Sequence, residues 1–258
     1  MNVGLYSGAA GMRVGEDYQQ LVMENLSLQT IPGYKQMLPV FSTDTQAATT
    51  TSGKPSATTS TSGNPAAVTM TRVIDFSQGP IQPSGDPFHV AMQGQGFFQV
   101  READGTTTYT RNGDFTLSSK GQLITSDGAA VMGKGGSTIT VDTSKAGPVQ
   151  IGTDGSISRD GAQLGSLGIS HFANPSASLQ PGAYGRFISK NPDDAQAGIA
   201  PNDRVLQGSL EQSNGNPIQQ MTCMIQAVRL YEANQKSIQA QDSQQNQLIS
   251  TLGAHPQA

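Results

Sequence analysis

The chain has 258 residues, enough for one large or two small domains with a real core. Only 13% of its residues are charged, where about 25% is usual, and 5% are aromatic, so it has modest cores and a largely neutral polar surface. A net charge of −4 supplies no basic footprint for nucleic acid or an anionic membrane, and the lone Cys223 excludes an intrachain disulfide.

The opening MNVGLYSGAAGMRVGEDY lacks a charged region followed by an apolar core, so the expectation is a cytosolic protein or one exported without a cleaved signal peptide. No apolar run reaches the ~18 residues of a membrane span, so no membrane insertion is expected. Over Val3 to Gln29, Val14, Tyr18, Leu21, Asn25 and Leu28 follow steps of 4, 3, 4 and 3. Leu5, Ala9 and Met12 repeat that step one face earlier, which predicts an amphipathic helix with a narrow stripe, ended by Pro32-Gly33. From Phe41 to Thr71 the chain carries TSGKPSATTSTSGNP and almost no bulky apolar residue, the composition of a loop or of a segment ordered on assembly.

From Ile81 to Ile188, short β-prone runs (GFFQV, TTTYT, DFTL, QLIT, TITV, VQIG, SLGISHF) alternate with turn pairs. The pairs are Asp104-Gly105, Asn112-Gly113, Lys120-Gly121, Asp127-Gly128, Asp154-Gly155 and Asp160-Gly161, and they predict antiparallel hairpins. Beyond them, Asn216 suits an N-cap and Pro217 a first helical position. Met221, Met224, Val228, Tyr231, Gln235, Ile238, Asp242, Gln245, Ile249 and Leu252 then repeat steps of 3 and 4, a heptad seam on a helix roughly 54 Å long that Gly253 and Pro256 end. Its polar members Gln235, Asp242 and Gln245 imply that a simple two-helix pair is weak and that further partners contribute buried area.

No catalytic constellation emerges, and we expect no enzyme, cofactor or metal. Gly128 to Gly135 resembles a P-loop, but Gly135 replaces the hydroxyl residue and GSTITV follows as strand. Gly94-Gln95-Gly96 lacks a third glycine and a helix; GSLG at Gly165 has Leu164 where a nucleophile elbow needs glycine. Glu16 and Asp17 point to different helix faces, and His89, His171 and His255 have no metal-ligand spacing. Cys223 reads as a small apolar helix residue.

GLYSGAAGM (Gly4 to Met12), Asn25-Leu26 and Pro32-Gly33-Tyr34-Lys35 resemble the opening signature of the bacterial flagellar basal-body rod and hook family, with Leu28, Thr30 and Ile31 departing from it. The stretch from Gln207-Gly208 through Leu210-Glu211 and Ser213-Asn214 to Asn216 resembles the family's Q-G-x-L-E-x-S-N-V-N element, with Gly215 in place of Val. Met224-Ile225, Arg229, Tyr231-Glu232, Asn234, Lys236, Ile238 and Asp242 continue the match, and VAMQGQGFFQV, Tyr109 to Gly113 and Gly121-Gln122-Leu123 resemble its β domain.

The resemblance implies an α+β fold of paired long terminal helices, coiled-coil-like, with a central antiparallel all-β domain. It implies a structural subunit of the basal-body rod, polymerising through its terminal helices into the axial tube and transmitting torque. The implied partners are copies of itself, other rod and hook subunits, and the flagellar type III export apparatus. We expect segments at 1–36 (helix and signature), 37–80 (connector), 81–190 (β domain), 191–215 (return connector) and 216–258 (heptad helix). The assembly interface is expected at Leu5, Met12, Val14, Tyr18, Leu21, Asn25, Leu28, Met221, Met224, Val228, Tyr231, Ile238, Ile249 and Leu252. The short β domain and VMGKGGSTITV most resemble a proximal-rod subunit; a distal-rod or hook-type subunit is the alternative. A secreted adhesin-like β domain is a more remote one, and it requires surface aromatics from among Phe97, Phe98, Tyr109 and Phe115.

Overall fold

A computed structural model describes residues 3–44, 67–142, 147–201 and 203–253. They form mixed helix and sheet: a helix at Val3–Leu28, a β-rich centre, and a helix at Pro217–Gly253. Two compact units emerge. One draws on Met1–Glu24, Leu38–Val73 and Ile218–Ala258; the other on Asn25–Met37 and Ile74–Pro217.

In the β-rich unit, strands run in the spatial order Leu179–Pro181, Phe187–Ser189, Thr107–Thr110, Phe97–Arg101, Ala130–Val131, Leu123–Thr125 and Phe115–Leu117. Ile169–His171 also pairs with Phe97–Arg101, and Gln196–Ala197 with Ile169–His171. Val149–Ile151, Ser156–Arg159 and Ala162–Ser166 form a three-stranded meander, and Val90–Gln93 pairs with Arg204–Gln207. All of these pairings are antiparallel: the hairpin-length connections require it, and the long-range pairs, such as Val90–Gln93 with Arg204–Gln207, follow the same sense.

Alternation along Phe97–Arg101 sends residues to two apolar layers. Phe98 and Val100 join Val90, Met92, Phe115, Leu123, Ile157, Ile169 and Val205 in the main core. Phe97 instead meets Phe76, Phe172 and Phe187, with ring centroids 5.7–5.8 Å apart and edges against faces. The four aromatics that a surface-binding ladder would need, Phe97, Phe98, Tyr109 and Phe115, are therefore all buried.

Two local expectations are corrected. Asn112-Gly113 is not a positive-φ turn: Gly113 is required because its α-carbon abuts the Val90 carbonyl, where a side chain would collide. Asp160-Gly161 does adopt left-handed angles at both residues, φ 50° and 78°. TITV makes only isolated bridges, Met132 with Thr138 and Gln122 with Thr140, rather than a strand. Gly128 to Gly135 lies on the strand Ala130–Val131 and a turn, so no helix end faces a phosphate there.

The first unit contains both long helices and a two-stranded sheet, Met37–Asp44 with Ala67–Ile74. The expected loop from Phe41 to Thr71 is therefore extended strand at both ends, and its centre lies outside the described residues. Polar β-branched residues such as Thr69 and Thr71 suit an exposed strand, which composition alone scores as loop. Among the described residues no helix is long and apolar enough to cross a membrane.

Candidate functional site

Two constellations stand out, one built of charge and one of glycine. The first centres on Glu211, at the end of the strand Ser209–Glu211, which pairs with Ile81–Pro83. Its side chain is fully enclosed, with Oε1 2.6 Å from Lys35 Nζ and Oε2 3.3 Å from Arg111 Nη1. The Gly79 amide also donates to Oε1, at 2.9 Å, and Lys35 Nζ donates to the Ser77 carbonyl at 2.6 Å. Arg111 donates to the Gly94 carbonyl and lays its guanidinium 4.7 Å above the Phe97 ring. Every oxygen of the carboxylate thus has a charge-assisted partner, the condition under which a buried ion can be tolerated.

Local backbone geometry makes that meeting possible. Gly33 sits at φ +69°, donates to the Glu211 carbonyl at 2.7 Å, and touches the Arg111 backbone so closely that no Cβ fits. Burial drives Lys35 below its ordinary value, against the pull of Glu211, and Arg111 is likewise lowered by burial. The three charges belong to Gly33-Tyr34-Lys35, Tyr109 to Gly113 and Leu210-Glu211. Sequence motifs identified these stretches, but nothing in their spacing revealed that they meet.

The second constellation lies on the helices. Gly8, Gly11 and Gly15 stand opposite Ile238, Asn234 and Tyr231, in antiparallel order. A Cβ at Gly8 would lie 2.6 Å from Ile238 Cγ1, one at Gly11 2.8 Å from Asn234 Oδ1, and one at Gly15 3.6 Å from the Tyr231 backbone. One turn further, Tyr18 hydrogen-bonds to Cys223, and burial together with that bond raises its hydroxyl to about 12. The glycine steps of 3 and 4 were the overlooked signal: small residues at helical spacing let two backbones approach.

Of the expected interface residues on the first helix, Val14, Leu21 and Asn25 are buried, and Met12, Tyr18 and Leu28 half-buried. On the C-terminal helix the inward residues are Gln220, Cys223, Met224, Ala227, Tyr231, Asn234, Ile238, Gln241 and Gln245. Met224, Tyr231 and Ile238 lie on that line. Met221, Val228 and Ile249 do not, being 56%, 37% and 69% exposed. Hydropathy favours the bulky residues, whereas the buried position is Ala227, which has no exposed surface. Leu5 and Leu252 lie outside the described side chains.

The family described as flagellar hook protein FlgE/F/G D1 domain matches residues 91–159, and that described as flagellar basal body rod FlgEFG protein C-terminal matches residues 206–251. The chain is 32% identical to the flagellar basal-body rod protein FlgG of Buchnera aphidicola (Schizaphis graminum), over 93% of this chain and 97% of that one. It is 30% identical to FlgG of Bacillus subtilis, over 95% and 97%, and 32% identical to the rod protein FlgF of Caulobacter vibrioides, over 69% and 71%. Matches spanning the signature, the β-rich unit and the C-terminal helix leave one conclusion: this chain belongs to the flagellar basal-body rod and hook family, as a structural subunit of the rod.

Proposed function

We propose that the subunit polymerises through its terminal helices into the axial tube of the rod, carrying torque by packing alone. Two faces of one helix carry this reading. The inner line, from Gln220 to Gln245, meets the N-terminal helix at the glycine contacts, and we read those contacts as part of a pairing along both helices. A second line, Ile218, Met221, Ile225 and Val228, steps by 3, 4 and 3 and lies open to solvent. An apolar stripe of that period on a helix already paired on its other side fits a neighbouring helix of another subunit.

The other partners follow from the same reading: copies of this chain, other rod and hook subunits, and the flagellar type III export apparatus. Passage through that apparatus without a cleaved signal peptide suits a chain with one cysteine and helices that gain much of their burial from neighbours. The segments 1–36, 37–80, 81–190, 191–215 and 216–258 are the corresponding working parts, with the β segment outside the tube. FlgG of Buchnera and of Bacillus match almost end to end, whereas FlgF of Caulobacter, like FlgG of Agrobacterium fabrum, matches over about two thirds; the end-to-end matches favour the FlgG type. The adhesin alternative loses its support with the burial of Phe97, Phe98, Tyr109 and Phe115.

The test places cysteines at Met221 and Val228 in a Cys223→Ala background. Oxidation of isolated basal bodies should give subunit-to-subunit crosslinks. Crosslinking no greater than at Gln226→Cys, an exposed position off both lines, would defeat the reading. Labelling the same subunit in basal bodies decides between the proximal position expected from the sequence and the distal one.

A further inference from the structure

The chain passes between its two units four times, next to Asn25, Met37, Ile74 and Pro217, and just inside the β-rich unit these four passages are tied to one another. Asn25 joins the first to the second: its Nδ2 donates to the Met37 carbonyl at 2.8 Å, and its Oδ1 accepts the Met37 amide at 2.9 Å and the Tyr34 hydroxyl at 3.0 Å. Gln36 joins the second to the third, its carbonyl accepting the Asp75 amide at 2.9 Å and its Nε2 donating to Asp75 Oδ2 at 3.2 Å. Asn214 joins the fourth to both: its Oδ1 accepts the Gln36 amide at 2.8 Å, and its Nδ2 donates to the carbonyls of Asp75 and Ser77 at 2.8 and 3.2 Å. Asn25 is 2% exposed, so the first tie is shielded from competing water.

We infer that Asn25, Gln36 and Asn214 make the four passages one cooperative joint, so that force entering the β-rich unit along any one of them is shared by all four. This rests on the subunit working within a torque-carrying rod. A single chain crossing between units is a pair of soft dihedrals per residue. Four crossings that each open independently are four such hinges; four that open only together are one stiff connection. Side-chain amides suit the task because each both donates and accepts, and so can bridge two backbones at once. Asn25 and Asn214 are positioning residues in this scheme.

The test separates a joint from a set of independent ties. In the purified full chain, amide hydrogen exchange is followed at Gln36, Met37 and Asp75, with Val100 as a core reference. Asn214→Ala removes the partner of Gln36 but none of the bonds to Met37. If the passages open together, exchange at Met37 and Asp75 accelerates with that at Gln36, each by about tenfold, while Val100 is unchanged. Acceleration confined to Gln36 would overturn the inference. The Gln36→Ala variant, which keeps the backbone bonds, offers an independent arm: a change at Met37 supports the joint and none opposes it. Neither arm requires polymerisation, so a failure here is distinguishable from a failure of the crosslinking experiment on basal bodies.

Discussion

Lys35 Nζ lies 2.6 Å from Glu211 Oε1, and neither side chain has any surface exposed to water. The pair joins residues 176 apart in sequence, one from each end of the chain. With Arg111 on the second oxygen, one buried anion serves two buried cations. That asymmetry decides what mutation does. Glu211→Gln removes the paired counter-charge of both cations, leaving only the weaker influence of Asp75 on Lys35 and of Asp203 on Arg111, and should destabilise the β-rich unit by about 3–5 kcal/mol, whereas Lys35→Met leaves Glu211 matched to Arg111 and should cost clearly less. Urea unfolding of the two variants checks the order; equal losses would mean that Arg111 does not compensate.

Gly33 brings that cluster together, and its replacement gives a second test. At φ +69° and against the Arg111 backbone, an alanine is both strained and sterically barred. Gly33→Ala should lower stability by about 2–4 kcal/mol, in contrast with Gly105→Ala, where the φ is also positive but nothing stands in the way. Comparable melting of the two variants would show that the left-handed φ alone, and not the close approach, sets the cost.

How much of this was readable follows from where each signal resides. Both long helices declared themselves through steps of 3 and 4, and most hairpins through Asp-Gly pairs, because periodicity and turn angles are local properties. The inward face of the C-terminal helix did not. Met221 and Val228 outrank Gln220 and Ala227 on any apolar scale, yet it is Gln220 and Ala227 that the fold encloses. Lys35, Arg111 and Glu211 could be seen only as letters in motifs, since an ion pair formed across 176 residues leaves no spacing to detect. Asn112-Gly113 misled for the opposite reason. Its glycine meets a steric demand from Val90 that has nothing to do with turn chemistry.

Tyr18 provides a test with pH. Burial, reinforced by the bond to Cys223, raises its hydroxyl from 10.0 to about 12. The folded chain thus favours the neutral phenol, so its stabilising contribution is complete below pH 10 and is lost as pH rises through about 12, the unfolded chain ionising first. Burial raises the Tyr109 hydroxyl as well, so ultraviolet titration should show late ionisation beyond the exposed tyrosines, and Tyr18→Phe should remove one tyrosine's share of it together with the accompanying fall in stability. Cys223→Ala should move the step toward lower pH while leaving the burial contribution. A Tyr18 that ionises with the exposed tyrosines would mean that the helix contacts around it do not form in the isolated chain.

The two faces of the C-terminal helix predict opposite behaviour for two neighbouring substitutions. Ala227 has no exposed surface on the inner line, so Ala227→Leu forces extra carbons into a closed contact and should cost the isolated chain about 1–3 kcal/mol. Met221 is 56% exposed on the outer line, so Met221→Ser should leave the melting of the isolated chain within about 0.5 kcal/mol of the parent. In cells the ranking changes: with its outer stripe interrupted, the Met221→Ser subunit should fold and be exported yet fail to build rods, which counting basal bodies by electron microscopy would show. Full rod assembly by Met221→Ser together with an unaltered melt would mean that the outer stripe has no partner. A destabilised Met221→Ser chain would instead place Met221 on the inner contact, reversing the assignment of faces drawn from Gln220, Ala227 and Asn234.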